Sequence, residues 1–132
     1  MRVVVLGCGR VGSHLAKLLL GQGHEVAVID RDSAAFKRLG TDFPGRVVLG
    51  TGIDEDVLRR AGIEGAEAFV AVTNGDNTNV MAAQVAREVF GVPRVICRIY
   101  DPLRAELYRS LGLETMCPTV LGAQRIVEFL GS

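Results

Sequence analysis

Three glycines and one acid form the first group of residues able to do recognisable chemistry. Gly7, Gly9 and Gly12 give the pattern G-x-G-x-x-G, and Asp30 follows at the end of the next apolar run. Glycines at this spacing permit a tight turn, close approach of a pyrophosphate and close packing of a helix, whose N-terminus attracts phosphate. The acid accepts hydrogen bonds from both ribose hydroxyls and repels a 2′-phosphate. The pattern therefore predicts binding of a dinucleotide or adenine nucleotide, with the NADP form disfavoured.

Two arginines accompany this group. The Arg10 guanidinium lies inside the glycine loop and can fork onto a phosphate, and the alternative is a solvated loop arginine. Arg31 follows Asp30 and is interpreted as a flanking or adenine-stacking cation. For Cys8, filling of the turn is favoured over redox sensitivity. The predicted ligand contacts on this side of the site are Gly7, Cys8, Gly9, Arg10, Val11, Gly12, Asp30 and Arg31.

A phosphate-binding glycine loop needs a strand before it and a helix after it. The run Val3–Leu6 is apolar, rich in β-branched residues and too short for a helix, so it predicts a buried parallel strand. Helical periodicity follows and stops at Gly21, and a second apolar run, Val26–Ile29, leads into Asp30. Strand, glycines, helix, strand and acid therefore occur in the order that nucleotide binding requires.

The same alternation continues to the end of the chain. The other predicted strands are Val47–Leu49, Ala68–Val72, Val95–Ile99 and Glu114–Cys117. Five further helices are predicted between and after these strands. The first is Ser33–Leu39, capped by Ser33, and the second is capped by Asp54 and stops at Ala61. The third is long and ends at Phe90, and the last two are Pro102–Leu111 and Pro118–Leu130. Strict alternation predicts an α/β, doubly wound parallel sheet of Rossmann type. We expect six strands in the order 3-2-1-4-5-6 and a single domain over residues 1–132.

This strand order creates a second wall for the site. The switch point lies between strands one and four, so the loop after strand four faces the glycine loop. We expect Thr73, Asn74, Asp76 and Asn77 to face the nucleotide across this crevice, although one of the last two is expected to cap the following helix. The Gly50-Thr51 turn after strand three is expected near the adenine edge.

Composition narrows the class of protein. The chain has 132 residues, 48% of them hydrophobic and 5% aromatic, so its core must be aliphatic. Its formal net charge of zero gives no indication of nucleic-acid binding, and no apolar stretch approaches the ~20 residues of a membrane span. Cys8, Cys97 and Cys117 are too widely spaced for a metal site. Reduced thiols and a cytoplasmic location are the expectation.

Residues suited to catalysis are scarce. His14 and His24 are the two histidines, and neither stands beside a serine or cysteine in a catalytic pattern. A dehydrogenase also needs a region that binds substrate and supplies an acid or base, whereas here the nucleotide fold uses up the chain. We therefore expect a binding module with no catalytic residues. A small NAD-dependent oxidoreductase and a soluble NADH/NAD redox sensor are the alternatives.

Three stretches carry a family resemblance: MRVVVLGCGRVGSHLAKLLLGQGHEVAVIDRD, VAVTNGDNTNVMAAQVA and VICRIYDPLRAELYRSLGLETMCPT. Together they resemble the regulatory RCK N-terminal (KTN, TrkA-N) domain of bacterial Trk and Ktr potassium transporters and channels. The chain is similar in particular to the short TrkA proteins of actinobacterial type. The resemblance implies a cytosolic subunit that binds NAD(H) or ATP/ADP and gates a membrane potassium-translocating subunit.

The resemblance also implies roles for individual residues. The glycines hold the phosphates, Arg10 reads the terminal phosphates and Asp30 holds the ribose. Thr73 and Asn74 line the opposite wall. Arg98, at the end of strand five, would face the phosphates or a neighbouring subunit, and a capping cation at a strand end is its alternative role.

Two departures from the family pattern affect these expectations. Some Ktr-type members carry a glutamate after the proline that opens the last helix, where it binds a divalent cation between subunits. This chain has Thr119 at that position, so no metal site is predicted. The family usually continues into a smaller C-terminal domain, whereas this chain stops after the last helix. Either the chain is shortened or a separate partner supplies that half.

The last helix bears on assembly. Its predicted core stripe is Val120, Ala123, Ile126, Val127 and Leu130, with Leu121 and Phe129 outside it. In the family, late helices pack against neighbouring subunits. We therefore expect a homodimer or a higher ring assembly, in which nucleotide binding biases the arrangement of subunits.

Overall fold

Six parallel strands form one sheet in the computed structural model, which describes residues 1–131. The strands are β1 Arg2–Leu6, β2 Glu25–Asp30, β3 Arg46–Leu49, β4 Ala68–Ala71, β5 Arg94–Arg98 and β6 Glu114–Met116. Their order across the sheet is β3-β2-β1-β4-β5-β6. The predicted fold class and strand order are therefore confirmed, and the observed strand ends differ from the predicted ones by one residue.

Helical segments connect consecutive strands and cover both faces of the sheet. The α-helices are α1 Arg10–Gly21, α2 Glu55–Arg60, α3 Asp76–Gln84, α4 Pro102–Ser110 and α5 Pro118–Phe129. A 3-10 segment, Ser33–Leu39, joins β2 to β3. The buried residues of α1 and the 3-10 segment pack with one face of the sheet, and those of α2, α3 and α4 pack with the other.

The core lies on the central strands. Val4, Val5, Val28 and Ile29 are fully buried, because β1 and β2 are covered on both faces. Alternate residues of β1 join different clusters: Val4 packs with the α2–α3 side, and Val5 packs with the α1 side. This two-sided burial explains why these strands appear in the sequence as continuous apolar runs.

Two helix starts test the predicted caps. The Asp54 carboxylate accepts hydrogen bonds from the N–H groups of Asp56 and Val57, so the predicted cap of α2 is confirmed. The predicted cap of the 3-10 segment is wrong by one residue. Asp32, rather than Ser33, accepts the Ala34 N–H at 3.0 Å, because the chain is still extended at Asp32 and already helical at Ser33.

The predicted long helix after β4 changes character part of the way along. Its α-helical part ends at Gln84, and Val85–Val89 form a π-helical turn. Met81 and Val89, which stack at four-residue spacing in the sequence, are about half exposed. The buried face is instead made by Asn79, Val80, Ala82, Ala83 and Ala86. These mostly small residues let the helix lie close to the sheet.

The prediction of a core stripe on the last helix is wrong. No residue of α5 is buried among those that the structure describes, and Ile126 and Leu130 are 61% and 76% exposed. The reason is topological: α5 follows the edge strand β6, and within residues 1–131 no strand lies beyond β6 to receive its apolar side chains.

No helix within residues 1–131 is long and apolar enough to cross a membrane.

Candidate nucleotide-binding site

The turn after β1 can be made only by glycine at its first position. Gly7 has φ of +107°, and its N–H donates to the Ile29 carbonyl at 2.8 Å. A Cβ on Gly7 would lie 2.9 Å from the carbonyl carbon and oxygen of Val72. The turn is therefore wedged between the ends of β2 and β4, and a side chain would force these strands apart.

The other two glycines differ in what surrounds them. A Cβ on Gly12 would lie 1.7 Å from the Gly7 carbonyl oxygen, so this glycine lets α1 rest directly on the turn. A Cβ on Gly9 would meet no atom within 4 Å. Gly9 is the residue before α1, which has no capping side chain and no acid in its first turn. The N-terminus of α1 is therefore open to an anion at Gly9.

Asp30 is bonded to the glycine loop as well as standing beside it. One carboxylate oxygen accepts the Cys8 N–H at 2.8 Å, and the other accepts the Asp32 N–H at 2.9 Å. The side chain is half-buried. Each oxygen retains a second lone pair, so the carboxylate can still accept hydrogen bonds from ribose hydroxyls. This anchoring role was not predicted from the sequence.

Cys8 offers a ligand no side-chain contact. Its thiol is fully buried and donates to the Ala35 carbonyl at 3.4 Å. Burial raises the pKa of this thiol, and the nearby Asp30 charge raises it further. The thiol is therefore neutral at physiological pH and fills the turn.

Five more predicted contacts lie around the same end of the sheet. Arg10 and Val11 are exposed in the first turn of α1, and Arg31 is exposed on the loop after β2. No ion pair involves either arginine in residues 1–131. The Gly50 N–H donates to the Asp30 carbonyl at 3.0 Å, and Thr51 follows it on the surface. Hydrogen bonds to Asp30 thus bring the loops after β1, β2 and β3 together.

The second wall is the loop from Thr73 to Gly75. It is held in place by Asn79, which is not among the predicted site residues. Asn79 is fully buried. Its side-chain oxygen accepts the N–H and the hydroxyl of Thr73 at 2.9 and 2.7 Å. Its amide nitrogen donates to the carbonyls of Thr73 and Arg98 at 3.0 and 2.9 Å. All of its polar atoms are therefore used to fasten the wall to the end of β5.

A signal for Asn79 was present in the sequence. Ala82, Ala83 and Ala86 stand three, four and seven residues later, which places Asn79 on the apolar face of a helix. A polar residue on such a face needs buried hydrogen-bond partners. The loop that follows β4 provides such hydrogen-bond partners.

The expected capping role of Asp76 or Asn77 is wrong. Gly75 precedes α3, and no side chain caps the helix there. The Asp76 carboxylate accepts the Tyr100 N–H at 3.0 Å and lies 3.8 Å from Arg104. Asn77 also bonds Arg104. These two side chains therefore join α3 to the loop after β5, at Tyr100, and to α4, at Arg104.

Arg98 takes the alternative role, that of a cation at a strand end. It is 5% exposed, and one guanidinium nitrogen donates to the carbonyls of Val72 and Thr73, both at 2.8 Å. Its charged group also lies 4.9 Å from the centre of the Tyr100 ring. The side chain thus lies beneath the second wall, and its burial leaves little of it for a neighbouring subunit.

Two cavities of about 560 and 480 Å³ lie away from the candidate site, and neither is lined by a residue of the glycine loop. Within residues 1–131, no three His, Cys, Asp or Glu side chains cluster as a metal site would require. Nor do the hydrogen bonds of that range join a serine or cysteine to a histidine. The arrangement is chemically suited to recognising phosphate through the backbone N–H groups at the start of α1 and ribose through the Asp30 carboxylate.

Comparisons with known proteins agree with this geometry. The family model described as the TrkA-N domain matches residues 3–118. Over 130 residues the chain is 61% identical to the Trk system potassium uptake protein TrkA of Streptomyces coelicolor, covering 98% of this chain and 58% of that protein. The chain thus spans little more than half the length of this relative.

Two solved structures share the fold. The TrkA-N domain of the inner membrane protein ybaL from Escherichia coli superposes with a TM-score of 0.85, at 23% identity over 98% of this chain and 96% of that one. The Kef CTD of Shewanella denitrificans, in an AMP-bound form, gives a TM-score of 0.84 at 22% identity, over 100% of this chain and 83% of that one.

Proposed function

Because the chain belongs to the TrkA-N domain family, we propose that it is the nucleotide-binding regulatory domain of a bacterial potassium-uptake system. The observation that carries this proposal is the open glycine turn at the N-terminus of α1, with Asp30 anchored beside it. The relative in Streptomyces coelicolor is named as a potassium uptake protein, which supports the potassium part of the proposal. The domain itself is proposed to occupy residues 1–132.

The ligand is an adenine nucleotide, either ATP/ADP or NAD(H). The N–H groups at the start of α1 bind its phosphates, the Asp30 carboxylate holds the adenosine ribose, and Arg10 reaches terminal phosphates. Thr73 and Asn74 supply the opposite wall, and Gly50-Thr51 lies near the adenine. The AMP-bound state of the similar Kef structure supports an adenine ligand in a fold of this shape.

The domain acts by biasing an assembly rather than by catalysis. A nucleotide shifts a two-state equilibrium only if it binds one state more tightly than the other. We propose that different nucleotides favour different arrangements of identical subunits, and that the arrangement opens or closes a membrane potassium-translocating subunit of Trk or Ktr type. The domain would then work on the inner face of the cell membrane.

The exposed apolar residues of the last two helices support self-association. Leu103, Leu107 and Leu111 on the α4 side and Phe129 and Leu130 at the end of α5 are between 54% and 82% exposed. Apolar patches of this kind mark interaction surfaces. We propose that they are covered by a second copy of this chain, or by the C-terminal domain that members of the family usually carry.

The glycine turn itself gives the sharpest test of nucleotide binding. Gly9→Ala adds a methyl group where the structure has open space, on a backbone of φ −81° that alanine tolerates. The variant should fold as the wild type does and lose at least tenfold in affinity, because the methyl group occupies the approach of the phosphates. Isothermal titration with ATP, ADP, NAD, NADH and NADPH measures this loss.

Gly21→Ala is the matched control, since Gly21 also has no atom within 4 Å of an added Cβ and lies at the other end of α1. It should bind as the wild type does. Equal affinity of Gly9→Ala and wild type would contradict the site, and absence of binding to any of the five nucleotides would contradict the function. Nicotinamide-linked turnover by the purified protein would favour the oxidoreductase instead.

A further inference from the structure

The larger cavity, of about 560 Å³, lies at the amino-terminal ends of β1, β2 and β3. Because all the strands are parallel, this is the opposite edge of the sheet from the glycine turn, which follows the other end of β1. The cavity is lined by Arg2, Glu25 and Arg46, the first residues of these three strands. Its volume falls within the range of small-molecule sites, roughly 300–1,000 Å³.

The two arginines stand on either side of β2. In the strand register Arg2 pairs with Glu25, and Arg46 pairs with Ala27, two residues along β2. Residues two apart on a strand share a face, so both arginines lie on the α2–α3 face to which Ala27 belongs. Neighbouring strands are about 4.8 Å apart. The small side chain of Ala27 therefore leaves space between two cationic side chains.

A glycine keeps this space open from above. A Cβ on Gly62 would lie 3.5 Å from Nη1 of Arg46 and 4.0 Å from Cδ of Arg2. Gly62, which follows α2, is thus placed between the two arginine side chains. Ala61 beside it is also small and lines the same cavity. A larger side chain at position 62 would fill the space between the two arginines.

Both arginines are held in place and keep free donors. Nη1 of Arg2 donates to the Glu64 carbonyl at 3.1 Å, and Nη1 of Arg46 donates to the Arg60 carbonyl at 2.9 Å. Each bond uses one of the several N–H groups of a guanidinium. Glu25 lies 3.6 Å from Nε of Arg2 and is mostly exposed, whereas no ion pair involves Arg46 within residues 1–131. Counting histidine as neutral, two arginines and one glutamate leave the cavity with one positive charge.

We propose that this cavity is a second ligand site, for a small organic monocarboxylate held between Arg2 and Arg46. A guanidinium matches a carboxylate with two parallel hydrogen bonds, and one net positive charge balances one carboxylate. The hydrocarbon part of the ligand would pack against Leu20, Val26 and Pro44, which also line the cavity. The alternative role of the two arginines is to bond the last carbonyls of α2 and the loop after it.

The test is a titration of the purified chain followed by ¹H–¹⁵N NMR, with hexanoate, acetate, hexanol and inorganic phosphate as probes. Hexanoate should give saturable shifts of the N–H signals of Gly45 and Gly62, which line the cavity. It should bind more tightly than acetate because its methylene groups are buried. Hexanol lacks the charge, and phosphate carries about two charges, so both should bind more weakly than hexanoate.

Four variants separate the charges of the cavity. Arg46→Gln and Arg2→Gln should each lower the affinity for hexanoate about tenfold, because a charged hydrogen-bond donor is lost. Arg94→Gln is the matched control, since Arg94 begins β5 at the same sheet edge, is exposed and does not line the cavity. It should bind as the wild type does. Glu25→Gln removes the competing carboxylate and should bind hexanoate several-fold more tightly, a gain that a role in capping α2 does not explain.

Three results would contradict the proposal. Absence of saturable hexanoate shifts in wild type, or wild-type affinity in folded Arg46→Gln and Arg2→Gln, would overturn the site and leave the arginines as partners of the α2 carbonyls. Tighter binding of phosphate than of hexanoate would overturn the assignment of a monocarboxylate. The same spectra show whether each variant is folded, and the nucleotide-binding proposal does not depend on any of these results.

Discussion

The thiol of Cys97 shows how burial alone changes the chemistry of one residue. Cys97 lies on β5, is fully buried, and donates to the Glu114 carbonyl on the neighbouring strand at 3.8 Å. Burial, with a smaller contribution from the Asp76 charge, raises the pKa of the thiol to about 11 from its usual value of 9.0. The thiol is therefore unreactive at neutral pH in the folded protein.

This pKa shift predicts a loss of stability at alkaline pH. Between pH 9 and about 11 the unfolded chain releases the Cys97 proton and the folded chain keeps it, so the free energy of unfolding falls as pH rises. The contribution is present in full below pH 9 and amounts to about 3 kcal/mol. Urea unfolding of wild type and Cys97→Ala from pH 8 to 10.5 measures it. The variant should lose less stability over this range, and identical slopes would contradict the prediction.

The three glycines of the motif differ in what the fold requires of them. Gly7 and Gly12 are required by close contacts with Val72 and with the Gly7 carbonyl oxygen, respectively. Gly9 meets no such contact. Two of the three glycines are therefore explained by the fold alone, whereas no contact within the fold requires a glycine at position 9. This is why Gly9→Ala is the informative substitution.

At the scale of elements, Asp30 links the end of β2 to the loop between β1 and α1. Its carboxylate accepts one N–H from that loop, at Cys8, and one from the loop that follows β2, at Asp32. Removal of a charged acceptor leaves both N–H groups without their partner. The acid therefore shapes the loop between β1 and α1 through contacts within the chain itself.

We predict that Asp30→Ala destabilises the protein in the absence of nucleotide, by about 2 kcal/mol. Urea unfolding of the ligand-free protein measures this change. Asp42→Ala is the control, since Asp42 is an exposed loop acid for which no hydrogen bond is seen in residues 1–131. A ligand-free Asp30→Ala as stable as wild type would show that the acid serves the ligand only.

The second wall depends on contacts between elements that are distant in the chain. Asn79 on α3 holds Thr73 after β4 and Arg98 on β5. Tyr100 after β5 in turn donates to Asp76, and its carbonyl accepts the Thr119 hydroxyl at 2.9 Å. Hydrogen bonds thus run from the candidate crevice to the start of α5, the helix with the exposed apolar face.

At the scale of the whole molecule, the apolar side chains of α5 form an exposed surface. Phe129 and Leu130 are 75% and 76% exposed, and no residue of the helix is buried within the described range. Most of the stability of a helix in a protein comes from packing of its apolar face, and α5 buries none of its described residues. Burial against another surface would stabilise it.

We predict that the protein self-associates through this surface. Sedimentation velocity should show a dimer or a larger ring, and Phe129→Ser should shift the population towards monomer by at least tenfold in the dissociation constant, because it removes an apolar side chain from the contact. Leu18→Ser is the matched control, since Leu18 is 51% exposed on α1 and should leave assembly unchanged. A strict monomer at high concentration, with and without nucleotide, would contradict the prediction.

Local pattern was enough to predict most of the fold. The buried run Val3–Leu6, the glycine spacing and the acid at Asp30 each follow from short-range rules of strand burial, turn geometry and helix packing. Strict alternation of strands and helices, together with the glycine motif on the first strand, then led to the strand order 3-2-1-4-5-6. The same reasoning placed the loops of the candidate site at one edge of the sheet.

Tertiary structure decided which partner each polar side chain takes. Asp76 bonds Tyr100 instead of capping α3, Arg98 caps the end of β4, and Asn79 becomes the clamp of the second wall. These partners stand 19 to 26 residues away, beyond any local pattern. For α5 the amphipathic pattern alone could not say whether its stripe faces the domain's own core or another surface. That depends on whether a strand lies beyond β6, which is a property of the whole sheet.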